Sequence, residues 1–132
     1  MLQMNNVTKT FGTFRALDHL TMTVPTGAVY GLVGPNGAGK STSIRVMTGV
    51  YRPDSGMALL DEMPIYEHPA AKERMCCIPD EIFFFPSATM EDMMRYYQGI
   101  YPKFDKALYE RLYEAFELPK KSPIRRFSKG MQ

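Results

Sequence analysis

The chain has 132 residues, of which 45% are hydrophobic and 23% charged, and its formal net charge is +2. That is enough chain for one domain with a real core, in the balance of an ordinary globular protein. So small a charge gives no ground for binding nucleic acid or a membrane surface by bulk electrostatics, and no nucleic-acid partner is expected.

The opening "MLQMNNVTKTF" lacks the apolar core of a signal peptide. Residues 2–12 alternate weakly up to a turn signal at Gly12, which predicts a first strand. In "FRALDHLTMTV" (14–24), Ala16, Leu20, Met22 and Val24 sit among polar partners and predict a second, closed by "PTG". "AVYGLVG" (28–34) is nearly all apolar, as in a strand buried on both faces. "PNGAGK" reads as a loop, and "STSIRVMTG" as a helix ending at Gly49.

"SGMALLD" (55–61) is a further strand candidate, and Pro69 starts a brief helix through "AAKERM". "CCIP" (76–79) then reads as a buried strand holding the only cysteines, Cys76 and Cys77. Neighbours on a strand face opposite ways, so neither a mutual disulfide nor a zinc site is expected. Buried structural thiols in a reducing compartment are expected instead. No apolar stretch approaches a membrane span, and a cytoplasmic location follows as an expectation.

From about residue 83 the strand signals stop. Thr89 and Asp92 have capping-box spacing ahead of Met93, Tyr97 and Ile100. Asp105 can cap another helix with Leu108, Leu112, Ala115 and Phe116 on one face, stopped by Pro119. Lys120, Lys121, Arg125 and Arg126, broken by Ser122 and Pro123, read as a solvated loop.

The chemistry is concentrated in "GPNGAGKS", Gly34 to Ser41, which matches G-x-x-x-x-G-K-[ST] between a predicted strand and a predicted helix. Gly34, Gly37 and Gly39, with Pro35, Asn36 and Ala38 between them, let consecutive N–H groups face one concave spot. The helix starting near Gly39 adds the positive end of its dipole. Lys40 supplies a point charge for β and γ phosphates, Ser41 a hydroxyl for Mg²⁺, and Thr42 a further phosphate contact. The loop predicts binding of a nucleotide polyphosphate, without naming the reaction.

The flanks narrow it. "FGTFRALDHLTMTVPTGAVYGLVGPNGAGKSTSIRVMTGVYRPDSG" (11–56) resembles, over its whole length, the opening of an ABC-type ATPase subunit. The resemblance implies an α/β P-loop NTPase fold of ABC type. That fold has N-terminal antiparallel strands, part of a core parallel sheet and a helical subdomain. Residues 1–82 then form the N-terminal part of a RecA-like and antiparallel β subdomain. Residues 83–132 form the helical subdomain up to a signature loop. It also implies that Phe11 stacks on the adenine of ATP, packing at the core or rim being the alternative.

"CCIPDEIFFFPSATMED" resembles the family's Q-loop region, with Asp80 where the pattern has glutamine. A carboxylate can meet Mg²⁺ there with a shorter reach; otherwise Asp80 is a solvated loop acid, as Glu81 is expected to be. "FSKGMQ" resembles the signature loop, usually LSGGQ: Ser128 and Gly130 match, while Phe127, Lys129 and Met131 depart from it. In the family this loop contacts the γ-phosphate held by a second subunit paired head to tail.

The family's strand aspartate, catalytic glutamate and switch histidine follow the signature and find no counterpart here. His19 and His68 lie upstream and read as surface residues. The resemblance therefore implies the N-terminal portion of a longer ATP-binding subunit of an ABC transporter. It would bind ATP with Mg²⁺ but hydrolyse it negligibly as this chain, and would tend to pair or aggregate. A transmembrane permease subunit would hold it at the inner face of the cell membrane. Ile82 to Pro86, with Met90, Met93 and Met94, either dock that permease or simply pack the subdomain. Other readings are a soluble ABC-type ATPase of ribosomes or DNA, a small-molecule kinase, and a non-catalytic nucleotide sensor.

Overall fold

A computed structural model describes residues 1–119 and 121–131. Lys120 of the basic cluster and Gln132 of the signature-like ending lie outside the described residues. The chain divides into two compact units, Met1–Cys77 and Ile78–Gln132.

The first unit is built on a hairpin. Strand β1 (Leu2–Phe11) turns at Gly12 and Thr13 into β2 (Phe14–Val24), and the pairing runs from Leu2↔Val24 to Phe11↔Phe14. Strands β3 (Ser55–Leu60) and β4 (Met63–Pro64) extend it to a four-stranded sheet of order β2-β1-β3-β4, antiparallel at every pair.

The register shifts on either side of Val7, and Asn6 and His19 both take left-handed backbone (φ 51 each). Their amides are met by threonine hydroxyls, Asn6 N–H donating to Thr21 Oγ1 (3.0 Å) and His19 N–H to Thr8 Oγ1 (3.2 Å). Such bulges reverse the in–out alternation. They bring Leu17 into the core where the simple period expects Ala16.

Helix α1 (Lys40–Met47) lays Val46 on this sheet, and the core is Met4, Val7, Leu17, Val46, Ala58 and Ile65. The helix ends at Thr48 with Gly49 left-handed (φ 67), as its glycine predicts. A one-turn helix α2 (Pro69–Lys72) follows, and His68 caps it by accepting from the Ala71 amide at Nδ1 (3.2 Å).

Two predicted strands do not form. Residues 28–34 and 76–79 are irregular, with Val29 102% and Val33 94% exposed. A strand buried on both faces needs neighbours to complete its ladder and cover both sides. Among the described residues no segment pairs with either run, and no parallel pair forms. The same lack of cover corrects the reading of the cysteines: Cys76 and Cys77 are free and exposed, not buried.

In the second unit, helix α3 (Met90–Ile100) opens with the predicted capping box. Thr89 Oγ1 accepts from the Asp92 amide (3.3 Å), and Asp92 accepts from the Thr89 amide (2.9 Å). Helix α4 (Lys106–Ala115) is capped by Asp105, which accepts from the Leu108 amide (2.8 Å). A 3₁₀ turn (Ile124–Arg126) then brings Ile124 and Phe127 onto Ala88 and Met93, the small core of this unit. The predicted apolar face of α4 exists but is uncovered, with Leu108, Leu112 and Phe116 all exposed. Lys121, Arg125 and Arg126 are exposed, in keeping with a solvated loop.

Candidate phosphate-binding site

The loop at residues 34–39 is folded by its glycines and by the strand beneath it. Gly37 and Gly39 are left-handed (φ 84 each), and Ala38 N–H closes a turn on the Pro35 carbonyl (3.2 Å). A Cβ on residue 39 would lie 2.5 Å from the Ala16 carbonyl oxygen and 2.9 Å from Leu17 Cδ2. Only glycine lets the loop rest this closely on β2.

Gly39 is also the N-cap of α1, with no side-chain cap and no acidic residue in the first turn. Its carbonyl receives the Ser43 amide (2.8 Å) and the Ser43 hydroxyl (3.0 Å), and Ser43 is buried. The amides of the first turn have no acceptor within the helix. Together with the helix dipole they make a site for an anion at Lys40, Ser41 and Thr42.

The Lys40 ammonium lies across the loop, donating to the carbonyls of Gly34 (2.6 Å) and Pro35 (2.7 Å). A concavity of about 230 Å³ opens beside it, lined by Asn36, Gly37, Gly39, Lys40, Ser41 and Thr42 of the loop and by Phe14 and Ala16 of β2. Gly34 and Pro35 do not line it and are tied to it only through their carbonyls' bonds with Lys40, and a Cβ on residue 34 would meet Ala38 Cβ at 3.3 Å. Five of the eight motif residues thus line one concavity. Ser41 is exposed, and Mg²⁺ characteristically takes one or two protein oxygens besides phosphate and water. An exposed serine hydroxyl is an oxygen of the kind that ion takes, so Ser41 is the residue of this loop that could hold it. Among the described residues no group of three or more His, Cys, Asp or Glu forms a metal cage.

Phe11 does not line this concavity. Its ring packs edge-on to Tyr51 (centroids 5.4 Å, 66°), and Lys9 Nζ lies 5.6 Å from its centroid. Phe14 does line the concavity, and the hairpin register sets Phe14 directly opposite Phe11. His19 is exposed and held by Asp18 (Nδ1···Oδ1 2.6 Å), and His68 is a helix cap, so each has a structural place.

In the second unit, Asp80 and Glu81 line a concavity of about 500 Å³ with Pro79, Ile82 and Lys129. The structure thereby brings Asp80 together with the lysine that departs from the signature pattern. Ser128 and Gly130 are exposed in a turn closed by Met131 N–H on the Ser128 carbonyl (2.9 Å), anchored by buried Phe127. Of the apolar stretch that follows Asp80, Ile82, Phe83 and Phe85 are exposed, whereas Met93 and Met94 are buried and pack the unit. Phe83, Phe85 and Tyr96 form an edge-to-face series with centroids 5.2 Å apart at each step.

Comparison with known proteins agrees with this geometry. The family model described as ABC transporter matches residues 17–132. The ABC transporter ATP-binding protein YtrB of Bacillus subtilis is 29% identical over 132 residues, covering 100% of this chain and 45% of its own. A probable multidrug ABC transporter ATP-binding protein of Escherichia coli, YbhF, is 35% identical over 122 residues, 89% of this chain and 21% of its own. The chain thus spans less than half the length of these relatives. A solved ATP binding subunit of an ABC transporter superposes with a TM-score of 0.82 at 28% identity, over 98% of this chain and 57% of that one. Cradle, hairpin and relatives agree, and the chain belongs to the ABC transporter family of ATP-binding proteins.

Proposed function

We propose that this chain grips the triphosphate of ATP within the ATP-binding subunit of an ABC transporter. That subunit couples ATP binding and hydrolysis to movement of a substrate across a membrane. One observation carries the reading: the Lys40 ammonium is drawn across the loop onto the Gly34 and Pro35 carbonyls, beside the free N-terminus of α1. A lysine so placed can exchange two carbonyl partners for phosphate oxygens without moving its backbone. The transport reading rests on relatives named as transporter ATP-binding proteins.

In this reading the amides of residues 37–42 and Lys40 neutralise the β and γ phosphates. Ser41 would hold Mg²⁺, which would neutralise charge on the phosphates, and the resemblance alone offers Asp80 as a further oxygen ligand. Ser128 and Gly130 meet the γ-phosphate on a second ATP-binding subunit, paired head to tail. Exposed Ile82, Phe83 and Phe85 suit the docking of a transmembrane permease subunit, which would hold the protein at the cytoplasmic face of the membrane. Among the described residues no helix is long and apolar enough to cross a membrane. Members of the family are ATPases in general. Of the chain's two Asp-Glu pairs, Asp61-Glu62 follows β3 in a turn where Asp61 is ion-paired with Arg74 and the N-terminal amine, and Asp80-Glu81 follows an irregular run; we expect binding without appreciable hydrolysis by this chain alone.

The test is equilibrium binding of a fluorescent ATP analogue with Mg²⁺ to the chain and to Lys40→Ala. Submicromolar to micromolar binding that Lys40→Ala weakens at least tenfold supports the reading. Equal binding by both proteins, at matched thermal stability, overturns it.

A further inference from the structure

We propose that the concavity floored by α1 and β3 is a second ligand site, for a small organic anion with an apolar body. It stands apart from the phosphate cradle and does not depend on it.

The concavity encloses about 530 Å³ in the first unit, within the range of small-molecule sites. It shares no lining residue with the cradle. Its apolar side reaches the core: Val46 of α1 and Ala58 of β3 line it and are only 1% and 6% exposed. Met57 carries that surface outward and is itself half exposed. Gly56 adds only backbone, because a Cβ there would lie 2.2 Å from the Asn6 carbonyl oxygen. An apolar body laid on these side chains leaves water.

The charged side is not balanced. Lys9 and Asp54 also line the concavity, but they satisfy each other. The Lys9 ammonium is 2.7 Å from one Asp54 oxygen, and the other oxygen accepts from the Thr10 hydroxyl and amide. That pair brings no net charge. Arg52 differs. Its guanidinium lies 6.0 Å from the Tyr66 ring centre, and the Lys72 ammonium lies 6.0 Å from the same centre. Among the described residues neither cation has a carboxylate partner. Glu67 and Glu73 adjoin them in the chain but do not line the concavity.

A cation at the outer limit of contact with a ring is weakly held, so both can turn to an anionic group at the rim. Arg52 offers a planar fork suited to a carboxylate, sulfonate or phosphate oxygen pair. Tyr66 lines the concavity beside it and supplies a ring face. An apolar floor under an uncompensated cation selects an organic anion over either a neutral hydrocarbon or a bare inorganic anion.

The experiment titrates the methyl-labelled chain with naphthalene-2-sulfonate, with uncharged naphthalene-2-sulfonamide and with sodium sulfate, each followed by NMR. The sulfonate should move the methyl signals of Val46, Met57 and Ala58 and bind tighter than either other probe. Arg52→Gln should weaken the sulfonate about fivefold, the loss of one exposed charge pair, and Arg52→Lys should lose less. Lys121→Gln, which removes an exposed cation of the second unit, should leave the affinity unchanged, as should Lys40→Ala. Equal binding of sulfonate and sulfonamide overturns the proposal, as does sulfate binding as tightly as the sulfonate. So does an affinity indifferent to Arg52→Gln at matched thermal stability, or shifts centred on Val29 and Val33. Loss at Lys40→Ala would put the sulfonate in the phosphate cradle and overturn the second site, while leaving the phosphate reading intact.

Discussion

Gly39 and the Ala16 carbonyl oxygen are so close that a single added methyl group on residue 39 would lie 2.5 Å from that oxygen. The phosphate loop is therefore not a free flap; its last glycine is seated on the backbone of β2. This contact makes the start of α1 and the side of the hairpin one rigid cradle, and Gly37 provides an internal control. Both glycines have φ 84, but a Cβ on residue 37 would meet nothing within 4 Å. Gly37→Ala should cost only the left-handed backbone penalty, about 1–2 kcal/mol. Gly39→Ala should cost more, at least about 3 kcal/mol once strand and loop are forced apart. Urea unfolding of the two variants checks the order, and equal costs would remove the seat on β2.

Asp54 ties the turn before β3 to β1. The Lys9 ammonium (2.7 Å), with the Thr10 hydroxyl and amide (both 2.6 Å), holds its carboxyl well below the usual carboxylate range. A carboxylate whose pKa is lowered by folding stabilises the fold above its unfolded value, near pH 4, and loses that contribution as the pH falls below it. Asp54→Asn should therefore be less stable than the parent at pH 7, and the gap should close as the pH drops below about 4. Thermal melts across pH 2–8 read this directly. A gap that widens toward acid contradicts the assignment.

The sequence is most legible where the signal is local. The capping box at Thr89 and Asp92, the cap at Asp105, the hairpin ends and the Gly37–Gly39 loop need only a few neighbouring residues to be right, and all are present. Legibility fails where the outcome depends on distant partners. Val29 and Val33 have the composition of a buried strand but no described neighbour to complete one. Leu17 takes the core position that alternation assigns to Ala16, because the bulge at His19 shifts the phase. The cradle is legible through its motif, while Phe14 becomes visible only once the register sets it opposite Phe11.

The reciprocal bonds between Thr89 and Asp92 start α3, whose buried Met93 packs with Ala88, Ile124 and Phe127 in the second unit. Asp92 is held below the usual carboxylate range first by the Thr89 amide and then by its hydroxyl. Thr89→Ala should remove the hydroxyl that meets the Asp92 amide and cost about 1 kcal/mol. Thr89→Ser should cost only a few tenths. Helical circular dichroism and hydrogen exchange confined to residues 90–100 check the effect; protection lost equally across β1 and β2 would point to a different cause.

Asp80 shares its concavity with Glu81 and Lys129. If its carboxylate serves Mg²⁺, Asp80→Asn should raise the Mg²⁺ concentration needed for half-maximal nucleotide binding severalfold while leaving metal-free binding unchanged. Glu81→Gln gives the comparison, since it changes charge by the same amount next door. Identical Mg²⁺ dependence in Asp80→Asn and the parent takes Asp80 out of the site. Equal shifts in both variants assign the effect to local charge instead.

Val29 and Val33 are almost wholly exposed, and Tyr30 and Ile78 are exposed as well. Each buried aliphatic side chain of this size is worth about 1.5–3 kcal/mol, so two copies of the chain gain by covering these runs, and unpaired strand-like backbone adds an edge to pair with. The 132-residue chain should therefore self-associate as its concentration rises. Val29→Lys with Val33→Glu should suppress that association at little cost in thermal stability, because neither side chain packs in the first unit's core. Sedimentation velocity at several concentrations separates the cases. A monomeric parent chain, or association untouched by the double substitution, would show that these residues are not what the copies cover.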